Sequence, residues 1–260
     1  MTQPAHPPPI FTGVGVAIVT LFTQNGDLDA PATAEFASRL VGEGVRAIVV
    51  AGTTGEAPAL SPSERVLLLE AVRAAVPAGV PVIAGTGAPS ARQAIALTSA
   101  ARDHGADAAL VLSPPGAADP RRYYEAIAKA AGDLPLLAYH YPKVSPPGIP
   151  IELLADLPVR GVKDSTGNPD RLLTELDLYS GDLYTGSSAI LALAGPLGCT
   201  GAILALANVA AARCAAAFAG DAKAQRELAG VHRAAHESFP AGLKRLVRKA
   251  YGTSATTRLA

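Results

Sequence analysis

The stretch RAIVVAGTTGEAPALSPSERVLLLEAVRAAVPAGVPVIAGT, residues 46–86, holds one complete strand–helix–strand unit. RAIVVAG (46–52) and VPVIAGT (80–86) are continuous apolar runs of strand length, the pattern of parallel strands covered by helices. Between them SPSERVLLLEAVRAAV (61–76) has a helical period. Ser61 stands at its N-cap, Pro62 in its first turn and Glu64 three residues on, which is a capping box. The intervening turn, Gly52-Thr53-Thr54-Gly55-Glu56, carries two hydroxyls and backbone N–H groups able to nest around a carboxylate or phosphate.

Working outward, the unit repeats. VGVAIVT (14–20), DAALVLS (107–113), LPLLAYH (134–140), RGVKDS (160–165), DLYTG (182–186) and GAILA (201–205) bring the strands to eight. Helical segments APATAEFASRLVGEG (30–44), SARQAIALTSAARDHG (90–105) and DPRRYYEAIAKAAG (119–132) alternate with them, and Gly44 and Gly105 sit where left-handed C-caps are expected. Between the fifth and sixth strands only IELLADL (151–157) is available as a short helix. Eight β/α units predict an α/β fold, a (β/α)8 TIM barrel with additional C-terminal helices. The chain reads as one domain: a loose N-terminal arm over 1–11, the barrel over 12–205 and the extra helices over 206–252. A doubly wound open sheet is the alternative. It lacks its G-x-G-x-x-G between first strand and first helix, and Gly13-x-Gly15 precedes the first strand.

Composition narrows the function classes. The 260 residues are 49% hydrophobic and 17% charged, with a formal net charge of +0. No basic face implies nucleic acid, and the absence of Trp with 5% aromatics argues against base-stacking platforms. No apolar run reaches the roughly 18 residues of a membrane span. MTQPAHPPPIFTG lacks the charged-then-apolar layout of a secretory signal. Cys199 and Cys214 give neither a disulfide framework nor metal spacing, so a reduced, cytoplasmic setting is expected. Among the five histidines, His232 and His236 are spaced i, i+4 and read as a solvated helix face rather than a metal site. No metal or other cofactor is expected.

In such barrels chemistry sits at the C-terminal ends of the strands. The sixth strand there carries a lysine, Lys163, directly after an apolar pair. Of 22 lysines and arginines only six are lysine, and the other five stand in helical or loop contexts without comparable oddity. An amine desolvated in an apolar barrel loses basicity, because burial disfavours the ammonium form. Unprotonated, it can attack a ketone and form a Schiff base. The alternative is a rim lysine paired with Asp164 or Glu56. Tyr139, at the end of the neighbouring strand, can relay protons or merely fill the rim; His140 and Tyr141 share that ambiguity. Gly186-Ser187-Ser188 follows the seventh strand, where barrels commonly hold phosphate.

These residues, in this order, resemble the pyruvate-dependent Schiff-base lyases of the dihydrodipicolinate synthase and N-acetylneuraminate lyase superfamily. The matching pieces are VTLF with its acidic loop (18–29), GTTGEAPALSPSER (52–65), YHYP (139–142), GVKDSTG (161–167), YTGSS (184–188) and GAILALANV (201–209), spanning roughly 12–252. The resemblance implies catalytic roles for Lys163 as the Schiff-base lysine, Tyr139 as proton shuttle and Thr53 as relay partner. It implies substrate binding by Thr54, Gly52, Gly186 and Ile203, a keto-acid substrate, no cofactor beyond the lysine, and a homodimer or homotetramer. Two departures matter. Val144 stands where dihydrodipicolinate-forming members carry an arginine for the aldehyde's carboxylate. Pro115 and Gly116 stand where the fourth strand usually ends in two tyrosines, and Tyr123 and Tyr124 lie further on in a helix. The pattern is closer to the aldolases that cleave 2-keto-3-deoxy sugar acids. The alternatives are a 4-hydroxy-tetrahydrodipicolinate synthase, a keto-acid dehydratase of the same family, and a barrel that binds a keto acid or phosphate without chemistry.

Overall fold

In the computed structural model, which describes residues 8–259, eight parallel strands close into a barrel in sequence order. They are β1 (Gly13–Ala17), β2 (Ile48–Val50), β3 (Val82–Gly85), β4 (Ala108–Leu112), β5 (Leu136–His140), β6 (Gly161–Asp164), β7 (Asp182–Thr185) and β8 (Gly201–Leu204). β8 closes on β1 from Gly13↔Gly201 to Val16↔Leu204. Nearly every strand residue is buried, because one face meets the barrel interior and the other the helices. This is the expected (β/α)8 barrel.

The helices are α1 (Ala30–Gly42), α2 (Pro62–Ala75), α3 (Ala91–Asp103), α4 (Arg121–Ala131), α5 (Pro169–Leu178), α6 (Leu191–Ala194), α7 (Ala207–Phe218), α8 (Ala222–His236) and α9 (Ala241–Tyr251). The Ser61–Glu64 capping box forms in both directions. Gly44 and Gly105 take φ of +97° and +85° after α1 and α3. IELLADL forms a 3-10 helix, Ile151–Asp156, rather than an α-helix. α5, for which the sequence supplied no candidate, starts from Asn168, whose side chain accepts from the N–H groups of Asp170 and Arg171. The C-terminal helices are present, but they break at Pro240, which lacks the N–H a continuing helix needs. Asn208 in α7 is fully buried and clamps β1: it accepts from Val19 N–H at 3.1 Å and donates to Ala17 O at 2.8 Å.

One boundary differs from expectation. Of the presumed loose arm, residues 1–7 lie outside the described residues, but Phe11 is packed. Its ring stacks on Tyr184 at 4.7 Å, and the Tyr184 hydroxyl donates to Phe11 O at 2.9 Å. Gly15 makes the room, since a Cβ there would lie 2.9 Å from the Phe11 ring. An aromatic after a proline run reads as linker until a distant strand provides its pocket. Among the described residues no helix is long and apolar enough to cross a membrane.

Candidate active site

Strand register builds the site. β5 and β6 pair Tyr139 with Lys163 and His140 with Asp164. Successive strand residues face opposite sides, so Tyr139 and Lys163 share the barrel interior while His140 and Asp164 share the helix side. The outward pair is structural. Asp164 binds Arg171 at 2.9 Å, and His140 Nδ1 accepts from Ile149 N–H at 2.8 Å. Burial first, then Arg171, holds the His140 pKa down at about 4, so its ring is neutral.

Lys163 is 5% exposed and its Nζ lies 4.2 Å from the centre of the Tyr139 ring. Neither carboxylate offered by the sequence reaches it. Asp164 is held by Arg171, and Glu56 is bound by Lys244 at 2.5 Å. Among the described residues Lys163 has no ion-pair partner, and burial lowers its pKa to about 7. The free amine, the form that acts as a nucleophile, is therefore accessible near neutral pH.

The Tyr139 hydroxyl accepts from Ser165 Oγ at 3.5 Å. Burial raises the phenol's pKa, and hydrogen bonds with Ser165 and Thr53 partly offset this. Thr53 and Thr54 lie in a turn closed by Gly55 N–H and Ala57 N–H on Gly52 O and by Glu56 N–H on Thr53 O. Among the described residues no backbone partner takes the Thr53 and Thr54 N–H groups, as an anion nest requires. Gly186 lets Ser165 and Lys163 keep their places: a Cβ there would lie 1.9 Å from Ser165 Oγ and 2.8 Å from Lys163 Cε, so both side chains would have to shift.

Lys163, Tyr139, Thr53, Thr54, Gly186 and Ile203 all line one cavity of about 380 Å³. Gly52 does not. It lines a neighbouring, mostly apolar cavity of about 600 Å³, and its carbonyl is used by the turn. The two cavities share Thr53, Tyr139 and Val144, so Gly52 stands beside the Lys163 cavity rather than on its wall. The Thr turn is braced by Glu56, a non-glycine residue at φ +56°. Its carboxylate accepts from Lys244 and from the N–H groups of Arg258 and Leu259, both at 2.8 Å. Lys244 thus contradicts the reading that the other lysines are unremarkably placed; it is fully buried.

Tyr123 and Tyr124 do not replace the missing strand-4 tyrosines. Their hydroxyls donate to Ala88 O and Val111 O, and neither lines the cavity. Pro115 and Gly116 are exposed. Ser165, which is not among the expected site residues, also lines the cavity, as do His232 and His236, expected on a solvated face, because α8 lies across the barrel mouth. Among the described residues no group of three or more His, Cys, Asp or Glu could hold a metal ion.

Known proteins resemble this chain in sequence and in fold. The model of the dihydrodipicolinate synthetase family matches residues 10–249. A 4-hydroxy-tetrahydrodipicolinate synthase of Azoarcus sp. (strain BH72) is 37% identical over 86% of this chain and 82% of its own. A dihydrodipicolinate synthase from Acinetobacter baumannii, solved in complex with pyruvate, superposes with a TM-score of 0.87 at 32% identity, covering 96% of this chain and 92% of that one. A monomeric dihydrodipicolinate synthase variant superposes at 0.89 with 26% identity, covering 96% and 90%.

Proposed function

The chain belongs to the dihydrodipicolinate synthetase family of pyruvate-dependent lyases, and from that membership we propose that it acts on a 2-keto-3-deoxy sugar acid or a related keto acid through a Schiff base on Lys163. The observation that carries this reading is the unpaired, desolvated Lys163 amine beside Tyr139 in a cavity that also holds the Thr53-Thr54 turn.

The neutral amine attacks the C2 ketone, and the carbonyl oxygen leaves as water, giving an iminium. The Thr53 and Thr54 N–H groups face the neighbouring carboxylate. The C3–C4 bond then breaks. Its electron pair moves into the iminium, the C4 hydroxyl loses its proton, and an aldehyde departs from the enamine. C3 takes up a proton, and water hydrolyses the iminium to pyruvate and free Lys163. Tyr139, joined to Thr53 and Ser165, carries the protons. No cofactor enters the sequence.

Borohydride reduction in the presence of pyruvate, read by intact mass, tests the proposal. A single adduct on the wild type and none on Lys163→Ala are expected. An equal adduct on Lys163→Ala removes it, as does none on the wild type.

A second reading, 4-hydroxy-tetrahydrodipicolinate synthase, is favoured by the name of the Azoarcus relative. Against it, the position of the carboxylate-gripping arginine is Val144, an exposed side chain. A dehydratase would share the iminium and expel hydroxide instead of an aldehyde. Assay of a keto-acid panel for pyruvate and for semialdehyde products separates the three. A barrel that binds without chemistry has no use for a depressed lysine. A homodimer or homotetramer in the cytoplasm is our expectation for the assembly, and light scattering on the purified chain reads its mass.

A further inference from the structure

The inner end of the cavity is accounted for by Lys163, Tyr139 and the threonine turn. Its outer part is built differently. α8 is fixed over the loop after β7 by Gln225, whose Nε2 donates to Ser188 O at 2.9 Å and whose Oε1 accepts from Ala192 N–H at 3.0 Å. Residues 225, 232 and 236 are seven and four apart and so share one helix face. That places His232 and His236 on the cavity. His232 Nδ1 and Ser188 Oγ are 2.8 Å apart, and Ser188 is itself 5% exposed. The two imidazoles stack at 4.3 Å, and His236 Nδ1 donates to His232 O at 2.8 Å. Lys143, on the loop after β5, lines the same cavity, and among the described residues no Asp or Glu does.

Hydroxyls of a neutral polyol both donate and accept, and a wall that mixed carboxylates with donors would suit them. This wall offers ammonium, hydroxyl and imidazole groups instead, beside the strand-7 loop where barrels commonly hold phosphate. We propose that Ser188, His232, His236 and Lys143 form the subsite for the aldehyde-derived half of the substrate, and that it binds an anionic group on that half, a phosphate or a carboxylate. The proposal rests on the Schiff-base reading and names the substrate class of that site. It also supplies a counter-charge that Val144 cannot.

The charge state of the wall follows. Burial, then the neighbouring His236, lowers the His232 pKa. The charged and titratable groups lining the same cavity are His236 on the same helix, Tyr139 on β5, Tyr141 and Lys143 after it, and Lys163 on β6; Ser188 after β7 is neutral. Burial remains when an anion arrives, but its charge offsets the repulsion from His236 and favours the imidazolium, so binding takes up a proton at His232.

The probes are aldehyde-free analogues of the departing half on one carbon skeleton: glycerol, glycerate and glycerol 3-phosphate. Each is titrated calorimetrically into the borohydride-reduced pyruvyl enzyme and into the untreated protein. We expect one of the two anions to bind at least about tenfold more tightly than glycerol. Which one it is distinguishes carboxylate from phosphate. That preference should fall about fivefold or more in Lys143→Met and in His232→Asn. Proton uptake, read from the dependence of binding heat on buffer ionisation, should fall clearly in His232→Asn and persist in Lys143→Met. Lys143 is exposed, so its variant tests the proposal without risk to folding. No preference over glycerol, or a preference that both variants retain, overturns the proposal. Failure to form the pyruvate adduct overturns the Schiff-base reading instead, and the titrations of untreated protein still decide the subsite.

Discussion

Glu56 and Lys244, 188 residues apart in the chain, form an ion pair with both side chains fully buried. Lys244 also donates to Thr256 O at 2.7 Å and lies 4.3 Å from the centre of the Phe22 ring. The pair ties α9 and the chain's last residues to the turn that presents Thr53 and Thr54. Removing one partner leaves the other charge buried alone, at a cost of about 3–5 kcal/mol. Lys244→Met should therefore lower the denaturation midpoint sharply. Glu56→Gln with Lys244→Met should recover part of the loss, because no lone charge remains. Chemical denaturation of the three proteins measures it, and a double variant no more stable than Lys244→Met would contradict the coupling.

Lys163 should be a stability liability as well as the nucleophile. Its folded pKa, about 7, lies below the ordinary 10.5. Below pH 7 the ammonium is present in both states and the folded one bears the full desolvation cost. Between pH 7 and 10.5 the folded state gives up its proton first, so the cost shrinks as pH rises. Lys163→Met should accordingly be more stable than wild type by a few kcal/mol at pH 6. The gain should be clearly smaller at pH 9. A gain that grows with pH, or a destabilised variant at pH 6, contradicts this. The same depression means that borohydride trapping of pyruvate should quicken as pH rises through about 7.

The barrel was readable because parallel strands buried on two faces leave unbroken apolar runs, and because Ser61, Gly44 and Gly105 mark helix ends locally. Lys163 was readable because a lysine conflicts with the strand around it. Lys244 was not, since α9 is amphipathic and a lysine in AGLKRLVRKAY reads as its polar face until Glu56 arrives from elsewhere in the chain. His232 and His236 were lost for the same reason: the i, i+4 spacing fixes a helix face but not what the face covers. Gly52 shows the other side of this: the motif gives its place in the chain, and only the fold shows that its carbonyl closes the turn.

Tyr139→Phe separates binding from proton transfer. The ring stays over Lys163, and the hydroxyl shared with Ser165 and Thr53 is lost. Losing a positioned proton-transfer group typically costs about 10²–10⁴ in rate. We expect a pyruvate adduct to form still, slowly, and turnover of a cleavable keto acid to fall within that range with little change in KM. Unchanged kcat would assign Tyr139 to rim packing alone.

Gly186→Ala should disable the site without unfolding the barrel. The added methyl would sit 1.9 Å from Ser165 Oγ and 2.8 Å from Lys163 Cε, so the nucleophile and its relay partner must move. Overpacking of this kind typically costs about 1–3 kcal/mol, which a barrel of this size survives. The expected result is a folded protein by circular dichroism with at least tenfold slower trapping of pyruvate, since displacement of about 1 Å suffices for that. Wild-type trapping would show that Lys163 has room to spare.

Glu175 lies on the helix side of the sheet, fully buried, with Arg171 at 2.8 Å and Asp164 close by. Arg171 alone would favour the carboxylate, but Asp164 shares that guanidinium and adds its own negative charge. Burial, reinforced by Asp164, prevails over Arg171 and raises the Glu175 pKa to about 8. The folded state thus holds a proton that the unfolded state releases above about 4.5, and stability falls as pH rises from there through 8. Glu175→Gln keeps the shape and removes the titration. Its stability should match or fall slightly below wild type at pH 5 and exceed it at pH 8.5. The crossover is read from urea denaturation midpoints at the two values. A variant less stable than wild type at both would mean that Arg171 keeps Glu175 ionised and that the pair holds α5 against β6.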